Sequence, residues 1–450
     1  MSLAPATFES LDPTTGQPLA TLPLGGAEDV DRAVAAARAA QPAWAEADPY
    51  ERGRVLDRLA RRLEENGDEL ARLESRDVGK TVREAERDVS LAVRTWDYWA
   101  GWPTKLTGTT NPADPGVFSY TLREAVGVVG AITPWNFPLV IASWKLAPAL
   151  ACGNAVVHKP AEEAPLTALR LAELALDAGL PPDVLNVVTG DGETGAALAA
   201  HDGVDKISFT GSTEVGREIQ RAAAGNLKRL TLELGGKSAN IVLEDADLDA
   251  ALDGAMRATF RNQGQVCTAG GRLVAHRAIA DTLAERLAER VRALEPGPVI
   301  SARQREHVLE LYASAVAEGA RPLVGGGAVD RPGFYVEPTV FVETHNDMRI
   351  NREEIFGPAV AVIAVEDADE AVRVANDTPF GLAAAVWTRD ASRAHRIARA
   401  LRAGTVWVNM YGGLDPYAAY GGRGLSGYGY EQGPQAIDEY TTLKTVRQTL

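Results

Sequence analysis

Val126-Gly127-Val128-Val129-Gly130-Ala131-Ile132 is a short apolar run that passes directly into Thr133-Pro134-Trp135-Asn136-Phe137-Pro138. It opens a series of like runs, Ala155 to His158, Val184 to Val188, Lys206 to Phe209 and Leu230 to Leu232, with helical stretches at Pro165 to Ala178 and Thr213 to Ala223 between them. Strand alternating with helix predicts a parallel sheet covered by helices. A second block of the same kind follows, with helices near Leu248 to Asn262 and Ala278 to Leu294 and strands near Leu273 to Ala275, Val360 to Ile363 and Val406 to Val408. The fold class is therefore α/β, and the two blocks read as a cofactor domain and a catalytic domain.

Toward the N-terminus the pattern changes. After a turn-rich Asp12-Pro13-Thr14-Thr15-Gly16, residues 28 to 100 read as three amphipathic helices, the second striped by Val55, Leu56, Leu59, Leu63, Leu70 and Leu73. Leu106 to Glu124 is richer in Thr, Pro and Gly and looks extended around Val117 to Leu122, as an arm or hairpin would.

At 450 residues the chain suggests two or three domains. Lys plus Arg number 46 against 61 Asp plus Glu, a net charge of -15 that disfavours nucleic acid or an anionic membrane surface as partner. No apolar stretch is long enough to span a bilayer, and Met1-Ser2-Leu3-Ala4-Pro5 lacks the basic and apolar segments of a leader. The apolar region from Val126 to Val157 is broken by Pro134, Pro138, Lys145 and Pro148. With only Cys152 and Cys267, no disulfide framework is implied and a reducing cytoplasm is the expected compartment. Six scattered histidines show no close Cys/His ligand spacing, so no metal site is expected.

The chemistry is carried by a few short segments. Cys267 sits in Gly264-Gln265-Val266-Cys267, and Glu233 opens Glu233-Leu234-Gly235-Gly236-Lys237 thirty-four positions earlier. A thiolate adds to a carbonyl carbon to give a covalent intermediate, and a nearby carboxylate can activate the water that removes it. Taken singly, each has a plainer reading: a lone cysteine is most often an inert buried residue, and a glutamate before Gly-Gly-Lys can simply end a strand. Phe209-Thr210-Gly211-Ser212-Thr213 places a turn between a strand and a helix, where backbone N–H groups could receive a pyrophosphate. The usual three-glycine fingerprint is absent, so that turn is a weak signal alone. Asn136 falls at a strand end, where ligand sites collect in open sheets, and its amide could donate to an oxyanion. Lys159-Pro160-Ala161-Glu162 follows the next strand, and its charged pair could reach sugar hydroxyls or be an ordinary solvated loop.

Taken in this order, the segments resemble the aldehyde dehydrogenase superfamily, specifically its hydrolytic, NAD(P)-dependent branch. The resemblance runs from Asp12-Pro13-Thr14-Thr15-Gly16 to Glu439-Tyr440-Thr441-Thr442-Leu443-Lys444-Thr445-Val446. It includes the Trp135-Asn136 loop, Lys159-Pro160, Phe209 to Ser212, Glu233 to Lys237, Gly264 to Cys267, Glu354-Ile355-Phe356-Gly357-Pro358, and Gly421-Gly422 leading to Ser426-Gly427. It implies a Rossmann-like NAD-binding domain over 1–105 and 126–234, an α/β catalytic domain over 235–430, and a small β oligomerisation arm from 106–125 and 431–450. A homodimer or homotetramer would follow.

Position by position, the resemblance implies that Cys267 attacks a small-molecule aldehyde while Asn136 and the Cys267 backbone N–H hold the oxyanion. Hydride passes to the nicotinamide, and Glu233 activates water to hydrolyse the thioester. Trp135, Gly211 and Ser212 would lie near the pyrophosphate, Glu354 at the nicotinamide ribose and Phe356 near the nicotinamide. Lys159 and Glu162 would meet the adenosine ribose, and a carboxylate there favours NAD over NADP. Lys145 and Glu431 match positions linked to proton movement. Phe137, Trp144 and Tyr420 are candidate substrate contacts, with Tyr411 and Tyr417 nearby, and suit an apolar or aromatic aldehyde. Arg261 would instead grip the carboxylate of a semialdehyde acid, although Trp144 stands where that clamp's second arginine is expected.

Three departures from the family pattern stand out. The chain enters at Asp12-Pro13 without the strand that usually precedes it. The connection Glu295-Pro296-Gly297-Pro298-Val299-Ile300 is short, leaving Cys267 and Glu354 only 87 positions apart, which puts cofactor-site geometry in question. Tyr430 replaces an arginine beside Glu431. Rival readings are an acylating enzyme that transfers to coenzyme A, which Glu233 argues against; a catalytically impaired or non-catalytic protein of the same fold; and a cysteine hydrolase, for which no histidine sits in the motifs.

Overall fold

The computed structural model describes residues 6–450; the leader reading of Met1–Pro5 lies outside them. Its first sheet has six strands in the order Gly427–Tyr428, Arg229–Glu233, Lys206–Thr210, Val128–Ile132, Ala155–Lys159 and Leu185–Val187. All run parallel except Gly427–Tyr428, which pairs antiparallel with Arg229–Glu233. From Val128–Ile132 the chain builds outward on one side and then returns to build the other. That reversal opens a crevice beyond the carboxyl ends of Val128–Ile132 and Lys206–Thr210. The register levels those ends, because Ile132 faces both Lys159 and Phe209, and Phe209 faces Leu232.

The second sheet orders Arg321–Val324, Thr339–Val342, Ala359–Val365, Arg272–His276, Ala239–Val242, Ala383–Trp387 and Thr405–Val408. Only its Arg321–Val324 edge is antiparallel. A third element is a long antiparallel ribbon in which Val117–Ala125, covering the stretch read as extended, pairs with Thr441–Thr449. Gly427–Tyr428 joins the first sheet although it falls within 235–430, so the chain crosses back to that sheet before the ribbon.

Two expectations are corrected. A strand does precede the Asp12–Gly16 turn: Thr7–Asp12 pairs with Gln17–Pro23. Its turn is closed by Gly16 N–H donating to Asp12 O at 2.7 Å and Thr14 N–H donating to Asp12 Oδ1 at 2.8 Å, as an Asp-led turn with a glycine at positive φ requires. Residues 28 to 100 hold four helices rather than three, Ala27–Glu46, Pro49–Glu65, Gly67–Val78 and Val82–Ala100. Asn66 at ψ 16° breaks the apolar stripe, so Leu70 and Leu73 belong to the third helix. The periodicity carries across such a break, which is why it reads as one helix.

Pro138–Ala151 is buried along its whole length. It is apolar all round because helices pack on one side and the first sheet on the other. Pro138 starts it without loss of a helical hydrogen bond, and Trp96 Nε1 donates to its Ser143 Oγ at 2.9 Å. Among the described residues no helix is long and apolar enough to cross a membrane.

His158, on strand Ala155–Lys159, is fully buried with Nε2 2.9 Å from Thr133 Oγ1, and burial with nearby Lys145 and Lys159 lowers its pKa to about 3. Below pH of roughly 6.5 the unfolded chain takes a proton that the folded protein refuses, so stability falls as pH drops toward 3. His158→Gln is expected to flatten this loss by up to about 1.4 kcal/mol per pH unit, measured as urea unfolding between pH 6.5 and 4. Parallel pH curves for the two proteins would contradict it.

Candidate active site

Cys267 follows a contorted loop. Asn262, Gln263 and Gly264 all carry positive φ (47°, 57° and 72°), a conformation that non-glycine residues rarely adopt unless their surroundings enforce it. Here the enforcement is visible. Asn262 Nδ2 donates to Asn136 O at 3.0 Å, Gly297 N–H donates to Gln263 Oε1 at 3.1 Å, and Ile300 N–H donates to Gln265 Oε1 at 2.8 Å. The short Glu295–Ile300 connection is thus a brace for the nucleophile loop. Gly264 itself has no space for a side chain, since a Cβ would lie 2.0 Å from Gly357 O.

The Cys267 sulfur lies 3.2 Å from the Tyr420 hydroxyl. Burial pushes its thiol up to about 12, so the resting group is SH. Asn136 is buried and spends one amide hydrogen on Gln265 O at 2.9 Å, leaving the second available. Among the described residues no hydrogen bond engages the Cys267 backbone N–H. Glu233 ends its strand 3% exposed, with neither carboxylate oxygen partnered. Burial, reinforced by the charge of Glu431, holds its pKa well above the usual carboxylate range. Glu431 accepts from Lys145 Nζ at 2.7 Å and Ser208 Oγ at 2.8 Å, all three fully buried.

The cofactor candidates line the same edge. Gly211 N–H donates to Glu233 O at 3.1 Å, and Ser212 caps helix Thr213–Ala222 by accepting from Val215 N–H at 3.2 Å. Glu354 Oε1 accepts from Gly236 N–H at 3.0 Å, with its carboxylate pressed on Gly235, where a Cβ would sit 2.2 Å from Oε2. Burial raises Glu354 to about 7 and lowers neighbouring Lys237 to about 7. Trp135 and Phe356 meet edge to face with centroids 5.2 Å apart. Lys159 pairs with Glu162 at 3.0 Å at the far end of this edge. A helix N-terminus, two carboxylates suited to ribose hydroxyls and an aromatic wall form a donor set that fits a dinucleotide.

Around the sulfur, Phe137, Val140, Ile141, Trp144, Leu382 and Tyr420 form one apolar cluster, with Leu91, Val266 and Leu414 against it. Tyr411 and Tyr417 lie outside it. Tyr411 packs on Trp407 and donates to Thr268 O at 2.6 Å, while Tyr417 is exposed. Arg261 is already engaged: it ion-pairs with buried Asp88 at 2.6 Å and its guanidinium lies 5.1 Å over the Phe137 ring.

Sequence reasoning missed a buried ionic knot. Lys80 Nζ contacts Glu74 at 2.7 Å, Asp88 at 2.8 Å and Asn136 O at 3.0 Å, and lies 4.5 Å from the Phe137 ring centroid. A signal was present, since Glu74 falls among Leu70, Ala71 and Val78, and Asp88 among Ala85, Val89 and Ala92, on faces that are otherwise apolar.

The sequence matches the aldehyde dehydrogenase family over residues 2–446. It is 46% identical over 455 residues to retinal dehydrogenase 2 of Homo sapiens, covering 98% of this chain and 88% of that one. The NAD+ complex of an aldehyde dehydrogenase from Bacillus cereus superposes with a TM-score of 0.98 at 43% identity, covering 99% and 94% of the two chains. An indole-3-acetaldehyde dehydrogenase complexed with NAD+ gives 0.97 at 44% identity, covering 100% and 95%. The chain belongs to the aldehyde dehydrogenase family.

Lys80→Met leaves Glu74 without its cation and Asp88 with Arg261 alone. It is expected to cost about 3–5 kcal/mol, read as a lower urea midpoint together with reduced turnover as the Asn136 carbonyl loses one of its two donors. An unmoved midpoint would show that the knot holds nothing.

Proposed function

We propose that this NAD-dependent aldehyde dehydrogenase oxidises an apolar or aromatic aldehyde through covalent catalysis at Cys267, and that the pairing of Arg261 with Asp88 carries the choice of substrate class. A guanidinium held by a buried carboxylate and stacked on Phe137 is a poor second clamp for a substrate carboxylate. The ring-lined cluster around the sulfur suits an apolar chain or ring instead.

The Cys267 sulfur adds to the carbonyl carbon and its proton passes to the Glu233 carboxylate, which gives it up toward Lys145, Ser208 and Glu431 before the hydrolytic step. The new oxyanion takes the remaining Asn136 amide hydrogen and the Cys267 N–H, donors fixed before the charge forms. NAD, when bound, accepts the hydride. Glu233 then draws the proton from a water that attacks the thioester, the C–S bond breaks and the acid leaves. The two unpartnered Glu233 oxygens leave it free to hold that water, and Lys145, Ser208 and Glu431 form a buried polar chain suited to passing the proton onward. Trp135, Gly211 and Ser212 would lie near the pyrophosphate of NAD, Glu354 at its nicotinamide ribose, Phe356 near the nicotinamide, and Lys159 with Glu162 at its adenosine ribose, where the carboxylate repels a 2′-phosphate and favours NAD over NADP.

We further infer a dimer or tetramer formed through the ribbon, whose Phe118, Leu122 and Leu443 are 41%, 42% and 60% exposed. Two unpaired cysteines suit a reducing cytoplasm.

NADH formation with a panel of aldehydes tests the substrate reading. Aromatic and longer aliphatic aldehydes are expected to exceed succinic semialdehyde by about tenfold or more in kcat/KM, with Arg261→Ala leaving the ratio unchanged and Cys267→Ala inactive. Preference for the semialdehyde, lost in Arg261→Ala, would overturn it.

A further inference from the structure

Tyr420 has more than a wall to offer. Its ring is 3% exposed, fixed by Trp144 with centroids 5.1 Å apart, and its backbone carbonyl accepts from Glu431 N–H at 2.9 Å. Its hydroxyl has one polar partner among the described residues, the Cys267 sulfur at 3.2 Å. A phenol buried in an apolar cluster normally finds a partner. Here the partner is the reacting atom itself.

We propose that the Tyr420 hydroxyl is a catalytic hydrogen-bond donor to the Cys267 sulfur, stabilising it as thiolate both when the nucleophile forms and when the thioester is broken. This rests on Cys267 being the nucleophile. While sulfur and oxygen both carry protons, either can donate. Once the thiol ionises only the phenol can, so the bond favours the charged form. Tyr420 keeps its proton throughout, because burial and the charges of Cys267 and Glu233 hold its pKa well above 10. Other groups acting on the sulfur oppose ionisation: burial itself and the carboxylates of Glu354 and Glu233, with the Thr268 backbone N–H as a lesser aid. No cationic side chain or histidine contacts the sulfur among the described residues, so Tyr420 fills a place that another donor occupies in many thiol enzymes. At attack the S–C bond forms and the sulfur becomes a weak acceptor. At thioester hydrolysis the C–S bond breaks, the electron pair returns to sulfur, and Tyr420 again donates to the departing thiolate.

Tyr420→Phe removes one oxygen and keeps the ring. The test is the rate of Cys267 alkylation by iodoacetamide as a function of pH, in wild type and variant, with the modified residue located by peptide mass spectrometry and NADH formation followed on the same samples. A hydrogen bond to a charged acceptor shifts an ionisation by roughly one to two pH units, so the variant's inflection is expected that far above wild type. Its alkylation rate near neutral pH should fall about tenfold, and kcat more than KM. A purely structural role for the ring would leave the inflection in place. Cys267 alkylated with loss of turnover in both proteins, at the same inflection, overturns the tyrosine's role and leaves the nucleophile standing. Alkylation of Cys267 without loss of turnover overturns both.

Discussion

The level carboxyl edge of the first sheet is the constraint on which the site depends. Parallel pairing sets Ile132, Lys159, Phe209 and Leu232 in one row. The residues that follow, Trp135 and Asn136, Glu162, Gly211 and Ser212, and Glu233, therefore emerge on one side of the sheet. A one-residue slip in any of these strands would send its side chains to the opposite face. The nucleophile comes from the other half of the chain, and its loop is fastened to this edge through the Asn136 carbonyl, which receives both Asn262 and Lys80.

Burial governs the chemistry as firmly as position does. Cys267 and Glu233 are both pushed toward their neutral forms, the thiol to about 12 and the carboxyl well above its usual range. A thiol held in its neutral form resists side reactions with solvent oxidants and electrophiles, because the thiolate is the reactive species. The same low dielectric strengthens each fixed donor, so Asn136 and a single phenol act with more effect than they would in water.

Much of this could be read from the chain, and the remainder has physical causes. The alternating runs fixed the sheet class, and the segments around Asn136, Glu233 and Cys267 carried their chemistry openly. The break at Asn66 was hidden because apolar periodicity continues across it, and the strand Thr7–Asp12 because Phe8 and Leu11 alone among its residues are apolar and its partner lies just across a local turn. Arg261 shows the larger limit. Its place before the nucleophile suggests a substrate contact, yet its partner Asp88 is 173 positions away and only folding brings the two together. Tyr420 was legible as a ring near the substrate, while the direction of its hydroxyl was not.

Intact-mass analysis of Glu233→Gln, mixed with NAD and a good aldehyde substrate, tests the central claim most directly. Covalent catalysis at Cys267 with Glu233 as the hydrolytic base predicts one burst of NADH per active site and an acyl adduct that persists on Cys267. Steady turnover at the wild-type rate with no adduct would contradict it.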